Sequence, residues 1–130
     1  MSKKLVYVGF SKQAGDGMDK LIGKHLALRS KDYHVIAFDH ANVLLKEIEK
    51  KHPSILIVSD TMYAGSVECR GVIVASKIRQ DEDPFPVIIF SPRKRSEFSE
   101  EIGVCNVKAV FQLPIFNWDK FIDTIINLAT

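Results

Sequence analysis

Residues 55–65 read ILIVSDTMYAG. The first four are aliphatic with no polar alternation, which suits a strand covered on both faces, as in the interior of a parallel sheet. Pro53 stops the helix-like segment before it, and Ser59 and Asp60 end the apolar run. A carboxylate where a buried strand runs out is either a site residue or an ordinary strand end, and the rest of the chain has to decide which.

Working outward, strand-like and helix-like segments alternate. LVYVGF (5–10), YHVIAFD (33–39), SILIVS (54–59), PVIIFS (86–91) and VKAVFQL (107–113) read as strands. Between them, Gly15, Asp16 and Gly17 mark a loop, with Asp16 as a helix cap. The apolar stripe Met18, Leu21, Ile22, His25 and Leu28 predicts a first helix. ANVLLKEIEKKH (41–52) predicts a second, with Leu44, Leu45 and Ile48 on one side. A glycine-bearing loop leads to a third at 71–80 on Val72, Ala75 and Ile78. SEFSEEIGVC (96–105) is a short polar fourth, and NWDKFIDTIINLA (117–129) a strongly amphipathic fifth. Five strands alternating with five helices predict an α/β fold: a flavodoxin-like, doubly wound, five-stranded parallel sheet in the order 2-1-3-4-5. Ligands in such folds bind beyond the carboxyl ends of the strands, at the switch between the first and third. Asp60 falls on that edge, with loops starting at Gly9, Ser59, Ser91 and Leu113.

The chain has 130 residues, 46% hydrophobic and 26% charged. That predicts one domain, 1–130, with one core. A net charge of +2 argues for no nucleic-acid partner. Cys69 and Cys105 form no CxxC or Cys/His cluster, which favours reduced thiols in a cytoplasmic protein over a zinc site or a disulfide, the one pairing two cysteines allow; no metal and no cofactor are expected. No apolar run reaches membrane-spanning length, and MSKK leads into a strand without a signal-peptide core. The final helix ends the chain, so the expectation is a stand-alone domain that acts through its own surface.

With these elements in place, the whole length resembles a response-regulator receiver domain, the phosphorylated module of two-component signalling. HPSILIVSDTM for the third strand, PVIIFSP for the fourth and LPIF after the fifth carry the resemblance, as does KIRQDEDPFPVII before the fourth. Pro53, Pro86, Ser91 and Pro114 fall into place. The resemblance implies a site with two acids after the first strand, an acceptor Asp after the third, a hydroxyl after the fourth and a Lys after the fifth. The acids and acceptor would hold magnesium through oxygen ligands. The hydroxyl and lysine would steady the phosphoryl oxygens, since phosphoryl transfer rests on positioning and charge neutralisation. In this chain the acidic pair falls on Gly9 and Phe10, and the lysine on Leu113. The acceptor falls on Ser59 by counting from Pro53, with Asp60 one place later. Only Ser91, the phosphate-contact hydroxyl, survives. The aromatic switch position falls on Val110, with Phe111 beside it on the opposite face. The expectation is therefore a degenerate receiver, or pseudo-receiver, that is no enzyme and acts through protein contacts. Its partner would be a signalling protein or histidine kinase, or a second copy in a homodimer.

Other features are weighed beside this reading. Ser59 has no general base nearby in sequence to activate its hydroxyl. Asp16 could replace the missing acids or simply cap the helix. Arg93, Lys94 and Arg95 lie at the rim where a receiver's phosphate would sit and predict either a solvated loop or a contact with an anion or acidic partner. His25 is expected to be half-buried in its helix stripe. His34, His40 and His52 show no ligand spacing among themselves. At about 100° per residue the last helix gathers its apolar side chains into an arc of roughly 160°. Trp118 belongs to that arc, and Ile126 and Leu128 at its margins are candidates for a partner surface. Two alternatives stand: a phospho-accepting receiver using Asp60, and a small-molecule (corrinoid or nucleotide) binder. AGDGMDKLIGKHLA is similar to the Asp-x-His-x-x-Gly loop of corrinoid-binding domains. Met18 occupies the His position and Leu21 the Gly position, so the lower cobalt ligand is missing, and no Gly-Lys-Ser/Thr makes a P-loop.

Overall fold

A computed structural model describes residues 3–10, 17–29, 32–59, 61–64, 67–70, 85–91, 107–113 and 115–129. Its elements are β1 (Lys4–Gly9), α1 (Met18–Arg29), β2 (Tyr33–Phe38), α2 (Ala41–Lys50), β3 (Ile55–Ser59), β4 (Thr61–Ala64), β5 (Val67–Arg70), β6 (Val87–Ser91), β7 (Val107–Gln112) and α3 (Trp118–Ala129). Five strands form one sheet in the order β2-β1-β3-β6-β7, and every neighbouring pair in it is parallel. This is the predicted 2-1-3-4-5 arrangement. Of the five expected helices, three lie among the described residues. The expected helices at 71–80 and 96–105 fall outside them.

All five residues of β3 and of β6 are buried, which is why these segments carry no polar alternation. The sheet divides the core in two. Tyr7, Leu56, Val58, Val87, Ile89 and Val110 meet α2 through Ala41, Leu44 and Ile48. Val6, Val8, Ile55, Ile57, Ile88 and Phe90 meet α1 and α3 on the other side. At the α2 end of the first layer the Tyr7 hydroxyl donates to the Lys51 carbonyl at 3.0 Å. Burial, helped by the charge of Glu47, pushes that phenol above the ordinary tyrosine range.

Two local expectations are corrected. The glycine-bearing loop expected after β3 contains an antiparallel hairpin, β4 against β5, with Thr61 opposite Arg70 and Ala64 opposite Val67. A two-stranded hairpin is marginal by itself in water, and β4 lies against α2. Secondly, α1 turns only part of the expected stripe inward, with Leu26 added to it. Met18, Ile22 and Leu26 are buried, whereas Leu21 and Leu28 are 44% and 76% exposed. Positions 18, 22 and 26 are spaced i, i+4, i+8 and make one face as readily as 21, 25 and 28 do.

Two glycines in this helix region behave oppositely. Gly17 precedes α1 with φ of 86°, a left-handed conformation that side chains resist. Gly23 sits mid-helix, and a Cβ there would meet nothing closer than Val35 at 3.9 Å. Gly17→Ala is therefore expected to cost about 1 kcal/mol. Gly23→Ala is expected to gain about 1 kcal/mol from helix propensity. Urea titrations of the two variants should shift in opposite directions from the parent, and a loss of stability in Gly23→Ala would contradict the open space beside it.

Candidate functional site

The carboxyl ends of β1, β3, β6 and β7 make one edge of the sheet. Gly9 lies opposite Val58, Ser59 opposite Phe90, and Ser91 opposite Gln112. Beyond the last rung the Leu113 N–H donates to the Ser91 carbonyl at 2.7 Å, and the Phe10 N–H to the Phe38 carbonyl at 3.0 Å. The ladder thus carries all four strand ends to a common level, as the fold's binding edge requires.

Ser59 and Ser91 are the buried polar residues at this edge, 1% and 0% exposed. Both make polar interactions within the molecule. Side chains alternate along a strand. Ile57 belongs to the α1–α3 layer and Val58 to the α2 layer, so Ser59 turns toward α1 and α3. Ile89 belongs to the α2 layer, so Ser91 two residues later turns toward α2. The two hydroxyls stand on adjacent strands but on opposite faces. Phe10 and Leu113 pack against the α1–α3 layer. At the positions where the resemblance places an acid and a lysine, the edge presents a phenyl ring and an isobutyl group. Gly9 supplies no side chain at all.

Asp60, Asp16, Arg93, Lys94 and Arg95 lie outside the described residues. Val110 is buried in the α2 layer, whereas Phe111 faces α3, its ring edge-on to Phe121 with centroids 4.7 Å apart. The three candidates on the last helix are half-buried. Ile126 and Leu128 pack on the α1–α3 layer, and Trp118 stacks flat on His25 of α1, centroids 4.7 Å apart and planes 9° from parallel. Arg29 reinforces the same helix pair by donating to Asp123 at 2.5 Å and to Asp119 at 3.4 Å. These carboxylates, hydrogen-bonding first, hold the guanidinium even further toward its charged form. The most exposed large apolar side chain among the described residues is instead Phe116, 90% exposed, in the segment joining β7 to α3.

One pair at the edge escaped the sequence reading. Asp39 follows β2, and its Oδ1 lies 2.9 Å from Nδ1 of His40, the residue that opens α2. The spacing of His34, His40 and His52 does not point to it; the signal in the sequence is the acid adjacent to His40. Among the described residues no group of three His, Cys, Asp or Glu side chains could hold a metal ion. The donor set a magnesium ion needs, several oxygens converging at one point, is not met by Gly9, Phe10 and Ser59. The described strand ends therefore do not fit that ion. No described helix is long and apolar enough to cross a membrane.

No family model matches the sequence, and no curated protein does. Solved structures match along its whole length. A LuxR-family DNA-binding response regulator from Staphylococcus aureus superposes with a TM-score of 0.75 at 20% identity, covering 98% of this chain and 99% of that one. The signal receiver domain of NarL from Mycobacterium tuberculosis gives 0.75 at 17%, covering 99% and 98%. The receiver domain of a Francisella response regulator gives 0.76 at 15%, covering 98% and 97%. Strand order, burial of the central strands and these superpositions agree: the chain has the fold of response-regulator receiver domains.

Proposed function

We propose that this chain is a receiver-fold signalling module that works through protein contacts, without magnesium-dependent phosphorylation and without enzymatic activity of its own. The observation that carries the reading is the make-up of the strand ends. Glycine and phenylalanine end β1, and leucine follows β7. Phe10 and Leu113 are both packed into the α1–α3 layer. Phosphoryl transfer is driven by preorganised charge, and losing one such partner costs on the order of 10²–10³ in rate. The loss of both the metal-binding acids and the lysine multiplies those factors. What remains is a sheet with exposed apolar side chains around it, Leu21 and Leu28 of α1 and Phe116 before α3. These side chains support recognition of a signalling partner such as a histidine kinase.

Intact-mass measurement after incubation with acetyl phosphate and magnesium tests the reading. The expected result is no phosphate adduct, and no magnesium-dependent change in the fluorescence of Trp118, the only tryptophan. An adduct that disappears in Asp60→Asn would replace this reading with that of an active receiver.

A further inference from the structure

β2 is an edge strand: among the described residues it pairs with β1 alone. The rungs are bracketed by the Lys4 N–H on the Asp32 carbonyl, 2.7 Å, and the Phe10 N–H on the Phe38 carbonyl, 3.0 Å. In a parallel ladder the residues that bond a given neighbour alternate. Asp32, His34, Ile36 and Phe38 therefore direct their backbone groups to β1. Tyr33, Val35 and Ala37 direct theirs to the open edge.

Edges of this kind are usually blunted with lysine, proline, acidic residues or a bulge. The opposite edge follows that rule, since β7 carries an exposed Lys108 and a register irregularity at Val87/Ile88. β2 does not. Its sequence is YHVIAF, with no proline, lysine or acid over about 20 Å of strand. Beside it runs a groove of about 560 Å³ between the edge and α1, lined by Lys20, Gly23 and Ala27 of the helix and by Tyr33 and Val35 of the strand. The small residues Gly23 and Ala27 hold the helix surface back from the edge.

We propose that this edge is a pairing surface for a second copy of the chain. Two β2 strands join antiparallel about a two-fold axis at Val35, making one ten-stranded sheet. That register sets Val35 against Val35 and Tyr33 against Ala37 of the second copy, so a large ring meets a small side chain and every outward N–H and C=O finds a partner. The axis keeps both α1 helices on one face, and the two grooves merge into a trough that takes the tyrosine rings. Charge favours this orientation. At the start of β2, Lys3 and Lys4 outweigh Asp32. At its far end, Asp39 and Asp19 outweigh Lys20. Antiparallel pairing brings the positive end of one copy to the negative end of the other. Leu21, Leu28 and Phe116, proposed above for the signalling partner, do not line this groove.

Sedimentation equilibrium from micromolar to millimolar concentration, with hydrogen exchange on the same samples, tests the proposal. The expected result is a mass that doubles with concentration. The Val35 and Ala37 amides should slow by tenfold or more as the dimer fills, while the His34 and Ile36 amides, already bonded to β1, should change little. Val35→Pro removes an outward N–H without touching the β1 ladder, and Ala37→Lys restores the missing edge charge. Each should give a monomer at millimolar concentration with an unchanged far-ultraviolet spectrum. A parent protein that stays monomeric overturns the proposal. So do outward amides whose exchange ignores concentration, or folded variants that remain dimeric.

Discussion

Replacing Phe121 with alanine should lower the stability of the fold by about 3–5 kcal/mol, the cost of emptying a large aromatic site in a close-packed core. Phe121 is fully buried in the α1–α3 layer. Its ring takes the edge-to-face position against two others, Phe111 of β7 at 4.7 Å and Trp118 at 5.5 Å. Trp118 in turn stacks on His25. The four rings thus form a chain running from α1 through α3 into the sheet. Truncating the central member removes its own burial and two ring contacts, each worth about 0.5–1.5 kcal/mol beyond area. Urea unfolding followed by Trp118 fluorescence and far-ultraviolet circular dichroism checks this directly. Trp118→Ala, at a half-buried position, should cost distinctly less. Equal losses at the two positions, or a loss below about 1.5 kcal/mol at Phe121, would show that the ring chain does not organise this face.

The order of elements was legible in the sequence because the central strands of a parallel sheet cannot hide. ILIVS and VIIFS are apolar without interruption for the same reason that every residue in them is buried. The hairpin is less legible, since Gly65 and Ser66 between TMYA and VECR read as loop. Two strand-like tetrapeptides two residues apart are themselves a hairpin signal. On α1, Met18 and Ile22 of the expected stripe are buried and Leu21 and Leu28 are not, because leucines occur on both sides of the helix and apolar spacing cannot tell a core stripe from an exposed one when both exist. Pairing between α1 and α3, His25 with Trp118 and Arg29 with Asp119 and Asp123, joins residues about ninety positions apart. Only the topology brings them together. Of the candidate site, the identities at the strand ends were plain from alignment of the elements. The strand ends at Ser59 and Ser91 were legible too, but the opposed directions of the two hydroxyls depend on the register that sets Ser59 opposite Phe90 and on which helix covers each face.

Those directions yield the second large effect. Ser59→Asp places a carboxylate at a site 1% exposed and turned toward the α1–α3 layer. Among the described strand ends on that face, Phe10 and Leu113 offer no cation to receive it. An unpaired buried charge of this kind costs about 3–5 kcal/mol, and desolvation should raise the new carboxyl's pKa above the ordinary value. The sign of the pH dependence follows. With the folded-state pKa raised, the unfolded chain gives up its proton first as pH rises, so the variant's stability deficit should be small in acid and grow through and above the carboxylate range. Leu113→Lys supplies the missing cation. Leu113 lies two strands away on the same face, about 10 Å at the spacing of a sheet, within reach of a lysine side chain. By itself that substitution loses the leucine's packing. Combined with Ser59→Asp it should recover about 1–3 kcal/mol relative to the sum of the two single changes, the usual coupling of groups in contact. The cycle is read from urea midpoints of the four proteins at neutral pH and repeated in acid, where the coupling should vanish. Strictly additive losses at neutral pH would mean that the ends of β3 and β7 do not flank a common pocket, and the reading of this edge as a receiver site stripped of its charges would fall with them.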